Sequence, residues 1–228
     1  EARSLYWHGI LSLEQYAKAE RIYQTIGQRV RPLLQAAKRS QSELLDELNE
    51  KLAEKLFLNF SLFQSMPDAW AIDQVFPIIP LHRLDQRPSS RVVLQDLTCD
   101  SDGCVTRYVD GEGVESTLPL PPYQEGEPYF LGIFLVGAYQ EILGDLHNLF
   151  GDTNAVNVEL DSEGGYQLVA TERGDTIAEL LNYVHFAPDE LLQRYRQRIN
   201  DASLSAQQRE QYWATLEGSL RGYSYLAD

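Results

Sequence analysis

Residues 91–109 read RVVLQDLTCDSDGCVTRYV, and this stretch decides the fold. Two short segments rich in β-branched residues, Arg91–Thr98 and Val105–Val109, flank the polar sequence Asp100-Ser101-Asp102-Gly103. Asp110-Gly111 follows the second segment. Short segments of this kind, separated by turns that contain Asp and Gly, are typical of antiparallel strands. The sequence therefore predicts two strands joined by a turn, with a second turn after them.

The pattern of strands and turns extends from residue 67 to residue 174. Val75–Pro80 is apolar but contains prolines, which favour an edge strand or an extended entry segment. Tyr129–Val136 is a nearly continuous apolar run and is predicted to be a buried strand. Ala155–Leu160 and Tyr166–Thr171 are predicted to form a hairpin around a turn with two glycines. Because these strands follow one another without crossover helices, we expect an antiparallel β-sandwich or open barrel.

Residues 1–66 carry a helical pattern. Apolar residues recur every three or four positions from about Ser12, and the first helix is predicted to end near Lys38–Arg39. Ser40 or Ser42 is a candidate N-cap for a second helix. The apolar face of that helix is predicted to carry Leu45, Leu48, Leu52 and Leu56. We expect two antiparallel helices joined by a short turn, as in a helical bundle.

Residues 175–228 are predicted to be helical again. One helix begins near Asp175 or Thr176, a second after Pro188 and a third after Ser205. The predicted fold class is therefore α+β. A β-sandwich or open barrel at 67–174 is flanked by a helical bundle segment at 1–66 and by a C-terminal helical extension at 175–228.

The composition limits the possible partners. The 228 residues carry a formal net charge of −15 and are 43% hydrophobic. This charge argues against nucleic acid, whose phosphates it would repel, and favours either cationic substrates or solubility alone. No apolar run reaches the roughly 18 residues of a membrane span, so we expect no membrane partner. Two cysteines and no export signal indicate free thiols in a reducing cytoplasm.

Cys99 and its neighbours are the first candidate reaction centre. A free thiol titrates around pH 8.5, and the carboxylates of Asp100 and Asp102 favour its protonated form. A proton donor is therefore a better interpretation than a nucleophile, and the two carboxylates could bind an ammonium or guanidinium group. Two simpler alternatives stay open: Cys99 as a small buried apolar side chain, and the acidic sequence as an Asx turn.

Two further segments are candidates. Gly137-Ala138-Tyr139, after a predicted buried strand, could bring a phenol and backbone N–H groups to a phosphate. The alternative is an aromatic side chain packed beneath the start of a helix. Asp145 and His147 match a Gly-Asp-x-His element of two-metal phosphoesterases. The Asn-His-Glu element that completes such a metal cage is missing, which makes this the weaker interpretation.

Three runs together resemble the biosynthetic arginine decarboxylases, which belong to the pyridoxal-phosphate decarboxylases of the alanine-racemase type. They are Phe76–Asp85, Cys99–Gly103 and Leu131–Asp152, the last of which reads LGIFLVGAYQEILGDLHNLFGD. The resemblance implies a β/α barrel that carries the cofactor lysine, followed by a β-sandwich, with inserted and C-terminal helices. No lysine of this chain matches the motif of the Schiff-base lysine. We therefore expect a part of a longer enzyme that lacks the barrel and is inactive alone.

The resemblance also implies roles for individual residues. Cys99 matches a cysteine that enters the active site from the partner subunit and protonates the product carbon. Asp100 matches the acidic residue that meets the distal cationic group of the substrate, and Asp102 could contribute to the same contact. Tyr139, preceded by Gly137, matches a tyrosine that contacts the phosphate of pyridoxal 5′-phosphate.

The function implied by the resemblance is the conversion of L-arginine to agmatine and carbon dioxide in polyamine (putrescine and spermidine) biosynthesis. Pyridoxal 5′-phosphate and Mg²⁺ are the implied cofactors, and no residue can be assigned to the metal. The implied partners are the N-terminal barrel of the same enzyme and further copies in a homodimer or larger homo-oligomer. An alternative of a different class is a non-catalytic domain of the same fold that serves assembly.

Overall fold

The computed structural model describes residues 1–36, 42–111 and 113–226. In chain order its elements are α1 (Ala2–Trp7), α2 (Leu13–Ala36), α3 (Ser42–Leu52), β1 (Glu54–Phe57), α4 (Leu62–Ser65), α5 (Pro67–Ala71), β2 (Ile78–Pro80), β3 (Ser90–Gln95), β4 (Tyr108–Asp110), β5 (Gly113–Glu115), β6 (Leu118–Leu120), β7 (Leu131–Ile133), α6 (Ala138–Leu143), β8 (Ala155–Leu160), β9 (Tyr166–Glu172), α7 (Ile177–Tyr183), α8 (Pro188–Asp201) and α9 (Ala206–Leu220). A 3-10 turn spans His147–Leu149.

The chain forms two compact units, each assembled from separate stretches of sequence. The first unit comprises Glu1–Leu56, Val75–Leu94 and Val105–Leu135, and the second comprises Phe57–Gln74, Gln95–Cys104 and Val136–Asp228. The mixture of helices and strands confirms the α+β class. The sheets are small, one of three strands in the order β1-β3-β6 and three of two strands, and the described residues contain no closed barrel.

The helical pattern of the first unit is confirmed in α2 and α3. Gly27 of α2 lies against Leu52 of α3, so closely that a Cβ at Gly27 would stand 2.8 Å from a Leu52 methyl carbon. Gly27 lies nine residues before the end of α2 (36 − 27), and Leu52 lies ten residues after the start of α3 (52 − 42). This matched spacing is that of an antiparallel helix pair. The predicted helix end near Lys38–Arg39 and the candidate cap Ser40 lie outside the described residues.

The second predicted helix is shorter than its leucine pattern indicated. α3 ends at Leu52, and Leu56 lies in β1, which pairs with β3. Pairing with a neighbouring strand overrides local helix propensity here, as tertiary contacts often do. The placement of Leu56 on the helix face was therefore wrong.

The sheets of the first unit confirm part of the strand prediction. β3 pairs antiparallel with β6, and Val92, Leu94, Leu118 and Leu120 are buried between and beside them. The hydroxyl of buried Tyr108 accepts a hydrogen bond from the Leu94 N–H at 2.8 Å. β4 and β5 form a hairpin at the predicted second turn.

The apolar run Tyr129–Val136 is only partly a strand. β7 covers Leu131–Ile133 and pairs antiparallel with β2. The strand is half-buried, and Leu135 beyond it is 82% exposed. Leu135 has φ of 64°, a left-handed backbone that ends the extended conformation. The prediction of a buried strand over the whole run was wrong because β2 offers only three paired positions.

Helix signals of the second unit are confirmed. The Thr176 side chain accepts a hydrogen bond from the Glu179 N–H while the Glu179 carboxylate accepts from the Thr176 N–H, a complete capping box for α7. α8 has Pro188 in its first turn, and Ser205 with Gln208 forms the capping box of α9. The predicted hairpin is present as β8 and β9, both solvent-exposed along nearly their whole length.

Candidate functional site

The turn that carries Cys99 is held by its own acidic residues. The Asp102 N–H donates to Asp100 Oδ1 at 2.9 Å, and the Gly103 N–H donates to the Asp100 carbonyl at 3.1 Å. This confirms the Asx turn predicted for the sequence. The turn sits between Gln95 and Cys104, which form an antiparallel bridge. Cys99 is a free, exposed thiol, so its interpretation as a buried apolar side chain was wrong.

Asp96 organises the base of this turn. It is 2% exposed, and its Oδ1 accepts hydrogen bonds from the Thr98 N–H at 2.9 Å and the Thr98 hydroxyl at 2.8 Å. Its Oδ2 accepts from the Leu62 N–H at 2.9 Å. Gly103 packs so closely on this carboxylate that a Cβ there would clash with Oδ1. A buried carboxylate therefore ties the Cys99 turn to the start of α4.

Asn148 contacts Cys99 directly. Its side-chain oxygen accepts a hydrogen bond from the Cys99 N–H at 3.2 Å, and its amide nitrogen lies 3.5 Å from the Cys99 sulfur. The neighbouring His147 brings its Nε2 to 3.9 Å from Asp100 Oδ2, and its ring packs on Phe63 with centroids 4.6 Å apart. The 3-10 turn thus contacts both the thiol and the first carboxylate of the candidate centre.

Tyr139 lies in the first turn of α6 and is 72% exposed. Its neighbour Gln140 points the opposite way and is buried. The Gln140 amide donates to Asp68 Oδ2 at 2.6 Å, and its oxygen accepts from the Asp68 N–H at 3.1 Å. The buried amide therefore holds α6 so that the Tyr139 phenol faces solvent. This excludes packing of Tyr139 beneath the helix within the described residues.

Residues 60–68 hold both parts of the candidate site. The Leu97 N–H donates to the Phe60 carbonyl at 3.1 Å, which adds to the contact of Asp96 with Leu62. On the other side, the Asp145 N–H donates to the Phe63 carbonyl at 2.9 Å, and Gly144 packs on Gln64. With the Gln140–Asp68 pair, these contacts fasten the Cys99 turn and α6 to the same short segment of chain.

Glu141, also in the first turn of α6, is a carboxyl group whose pKa is changed by its surroundings. Partial burial raises its pKa above the usual value of 4.5, and the carboxylates of Asp152 and Glu172 raise it further. The electrostatic environment around α6 is therefore negative, in keeping with the net charge of the chain.

The described residues contain no group of three or more His, Cys, Asp or Glu side chains placed to hold a metal ion. Asp145, the candidate ligand of the phosphoesterase interpretation, donates its backbone N–H to the Phe63 carbonyl and belongs to no such group. The phosphoesterase alternative therefore gains no support. Of the helices described, none has the length and apolarity needed to cross a membrane.

The site contains two residues, Asp96 and Asn148, that the sequence interpretation did not single out. The burial of Asp96 could have been predicted from the sequence. Asp96 continues the alternation that points Val92 and Leu94 into the core, so its side chain is expected on the same buried face. Asn148 had no such signal, because it meets Cys99 across 49 positions of sequence. All the candidate site residues predicted from the sequence belong to the second unit: Cys99, Asp100, Asp102, Gly137 and Tyr139.

Two family models match the ends of the chain. Residues 1–49 match the model described as the arginine decarboxylase helical bundle domain. Residues 177–226 match the model described as the arginine decarboxylase C-terminal helical extension.

Curated proteins named biosynthetic arginine decarboxylase are similar over nearly the whole chain. The protein of Alkalilimnicola ehrlichii is 62% identical, with 99% of this chain and 36% of the relative covered. That of Pseudomonas aeruginosa is 52% identical, with 100% and 36% covered. The chain thus spans about a third of the length of the curated relatives it matches.

A solved structure has a similar fold. The crystal structure of the biosynthetic arginine decarboxylase from Campylobacter jejuni superposes with a TM-score of 0.70 at 30% identity. The match covers 99% of this chain and 35% of that protein. The similarity therefore extends across helices and strands alike.

Proposed function

The chain belongs to the family of biosynthetic arginine decarboxylases, and we propose that it contributes one half of the active site of a pyridoxal-phosphate-dependent enzyme that converts L-arginine to agmatine and carbon dioxide. The observation that carries this proposal is the attachment of the Cys99 turn and the Tyr139 helix to residues 60–68. An exposed thiol, exposed carboxylates and an exposed phenol are thereby held on one unit of the fold.

Cys99 acts as the proton donor in this proposal. Loss of carbon dioxide leaves an electron pair on the α-carbon of the substrate, and that carbon must receive a proton to become agmatine. The exposed thiol can give this proton, after which solvent restores it.

Asp100 and Asp102 bind the guanidinium group of the substrate in this proposal. A carboxylate and a guanidinium match in shape and charge, and their paired hydrogen bonds fix the orientation of the substrate. Both aspartates are exposed. His147 lies beside Asp100, with its Nε2 3.9 Å from Asp100 Oδ2.

Tyr139 and Gly137 fit the phosphate of pyridoxal 5′-phosphate. The Tyr139 hydroxyl makes no hydrogen bond with any residue that the structure describes, and a Cβ at Gly137 would meet nothing within 4 Å. A free phenol donor beside an open backbone suits a phosphate oxygen. When bound, the cofactor ring accepts the electron pair that carbon dioxide leaves behind.

The wider organisation of the enzyme is part of the proposal. The barrel with the cofactor lysine would be supplied by the part of the enzyme outside this chain, since the relatives are about three times as long. The small sheets of residues 67–174 would form the sandwich, between a bundle at 1–66 and an extension at 175–228. We further propose a cytoplasmic homo-oligomer in which Cys99 serves the partner's site. Among the described residues, no three His, Cys, Asp or Glu side chains are grouped so as to hold Mg²⁺, and no step of the proposal depends on this ion.

The test is the replacement Cys99→Ala in the full-length enzyme, with Cys104→Ala as the matched control. Both cysteines lie on the same turn, but only Cys99 is exposed. We expect agmatine formation to fall about 10²-fold in the first variant, as for loss of a positioned proton donor, and to change little in the second. Equal turnover in both variants would favour the assembly-domain alternative.

A further inference from the structure

We propose that Asn148 is a positioning residue for the Cys99 thiol, a role that rests on the proposed function of Cys99. The amide of Asn148 meets Cys99 at two atoms: its oxygen accepts from the backbone N–H at 3.2 Å, and its nitrogen lies 3.5 Å from the sulfur. One side chain thus fixes both the backbone and the side chain of the proton donor.

The orientation of this amide follows from the chemistry of its partner. The Cys99 N–H can only donate a hydrogen bond, so the oxygen of Asn148 must face it. The amide nitrogen is then left toward the sulfur, which can accept a weak hydrogen bond. A thiol held in this way keeps its S–H free to point toward the reacting carbon.

The backbone of Asn148 explains why asparagine suits the position. Its φ is 58°, in the left-handed region that asparagine, aspartate and glycine tolerate best. Leu149 follows with φ of 58° as well. Two successive left-handed residues bend the chain sharply, and this bend brings the amide to Cys99 across 49 positions of sequence.

The same contact sets the electrostatic surroundings of the sulfur. The titratable groups placed on or beside the turn within the described residues include Asp96, Asp100, Asp102, Cys104 and His147. Of these, His147 faces Asp100. The amide nitrogen of Asn148 offers a positive dipole end to the sulfur among these carboxylates. A carboxylate in its place would repel negative charge on the sulfur.

Two substitutions distinguish the effect of the Asn148 side-chain amide from the effect of its left-handed backbone. Asn148→Gly retains a residue that accepts the left-handed backbone but removes both contacts to Cys99. Asn148→Asp retains the acceptor for the Cys99 N–H and tolerates the backbone, but replaces the nitrogen by a charged oxygen. Asn157→Asp, on exposed strand β8, adds the same charge without a described contact to Cys99 and is the control.

The first measurement is alkylation of Cys99 by iodoacetamide at pH 8, followed by mass spectrometry of its peptide. The thiolate is the reactive form, so we expect Asn148→Asp to slow the reaction about threefold or more, and Asn157→Asp to leave it unchanged. Equal rates in the two variants would overturn the contact between amide and sulfur. This result is independent of decarboxylase activity.

The second measurement is turnover of the full-length enzyme. If Asn148 orients the proton donor, Asn148→Gly lowers kcat about tenfold or more and leaves KM for arginine unchanged, because the substrate carboxylates are intact. Full activity of this variant would overturn the positioning role and leave Asn148 with a structural role in the backbone bend alone. Unchanged turnover in Cys99→Ala would instead refute the proposed function, and the alkylation result would still stand.

Discussion

Both oxygens of the Asp96 carboxylate accept hydrogen bonds from N–H groups, so neither oxygen can be replaced by a hydrogen-bond donor. Oδ1 faces the Thr98 N–H and hydroxyl, and Oδ2 faces the Leu62 N–H. An amide of the same size would have to set its NH₂ group against one of these N–H groups. The carboxylate is therefore required for chemical reasons as well as for shape.

We expect Asp96→Asn to destabilise the protein by about 2 kcal/mol, the cost of leaving buried hydrogen-bonding groups unsatisfied. Asp161→Asn is the matched control, since Asp161 also caps a turn, and within the described part of the chain its hydrogen bonds from the Glu163 and Gly165 N–H groups both go to Oδ1. Its amide can turn its oxygen inward, so little change is expected. Urea unfolding measures both, and equal stabilities for the two variants would contradict the importance of Asp96.

The residues of the site differed in how far the sequence could reveal them. The Asx turn at Asp100 depends on local chemistry, which is visible in the sequence. Exposure of the Cys99 thiol was left open by the sequence and is known only from the structure. The burial of Asp96 is indicated in the sequence by its spacing of two and four residues from Leu94 and Val92, which are also buried. The contact of Asn148 with Cys99 joins residues distant in sequence, and no local pattern reveals it.

At the level of elements, helix ends with local signals were predicted and elements that depend on distant partners were not. The starts of α7 and α9 follow from capping boxes at Thr176 and Ser205. β1 was taken for helix because its pairing with β3 is invisible to a local pattern. For the run Tyr129–Val136, too long a strand was predicted, because a continuous apolar sequence does not tell how many residues a partner strand can pair.

We expect Thr176→Ala to destabilise the protein by about 1 kcal/mol, because the Glu179 N–H would lose its cap and the reciprocal bond would loosen. Thr215→Ala is the control, since Thr215 lies inside α9 and its hydroxyl donates to the Gln211 carbonyl of the preceding turn rather than capping a helix end. Thermal unfolding followed by circular dichroism compares the two. A Thr176→Ala midpoint no lower than that of Thr215→Ala would refute the capping contribution.

At the level of the whole molecule, the net charge of −15 makes neighbouring carboxylates repel one another. The pKa of Glu141 reflects this repulsion. Burial raises it, and the negative charges of Asp152 and Glu172 raise it further. A carboxyl whose pKa is higher in the folded state than in the unfolded state holds its proton more tightly when folded. Its contribution to stability therefore falls as the pH rises from about 4.5 through the raised value.

Glu141→Gln removes the charge that the folded state disfavours. We expect its midpoint of thermal unfolding to exceed that of the parent protein at pH 7, and the difference to shrink as the pH is lowered toward 4.5. Glu210→Gln removes one charge from the exposed surface of α9 and serves as the control. If both variants had the same pH profile, the carboxylate cluster would not be the cause.

The shared attachment to residues 60–68 has a mechanical consequence. Because the Cys99 turn and α6 are fastened to the same short segment, a displacement of that segment carries thiol and phenol together. Under the proposed function, the distance between the Cys99 thiol and the Tyr139 phenol would then be kept while substrate enters and product leaves. For protein engineering, residues 60–68 would have to be kept with both attachments if the Cys99 turn and α6 were to keep their mutual placement.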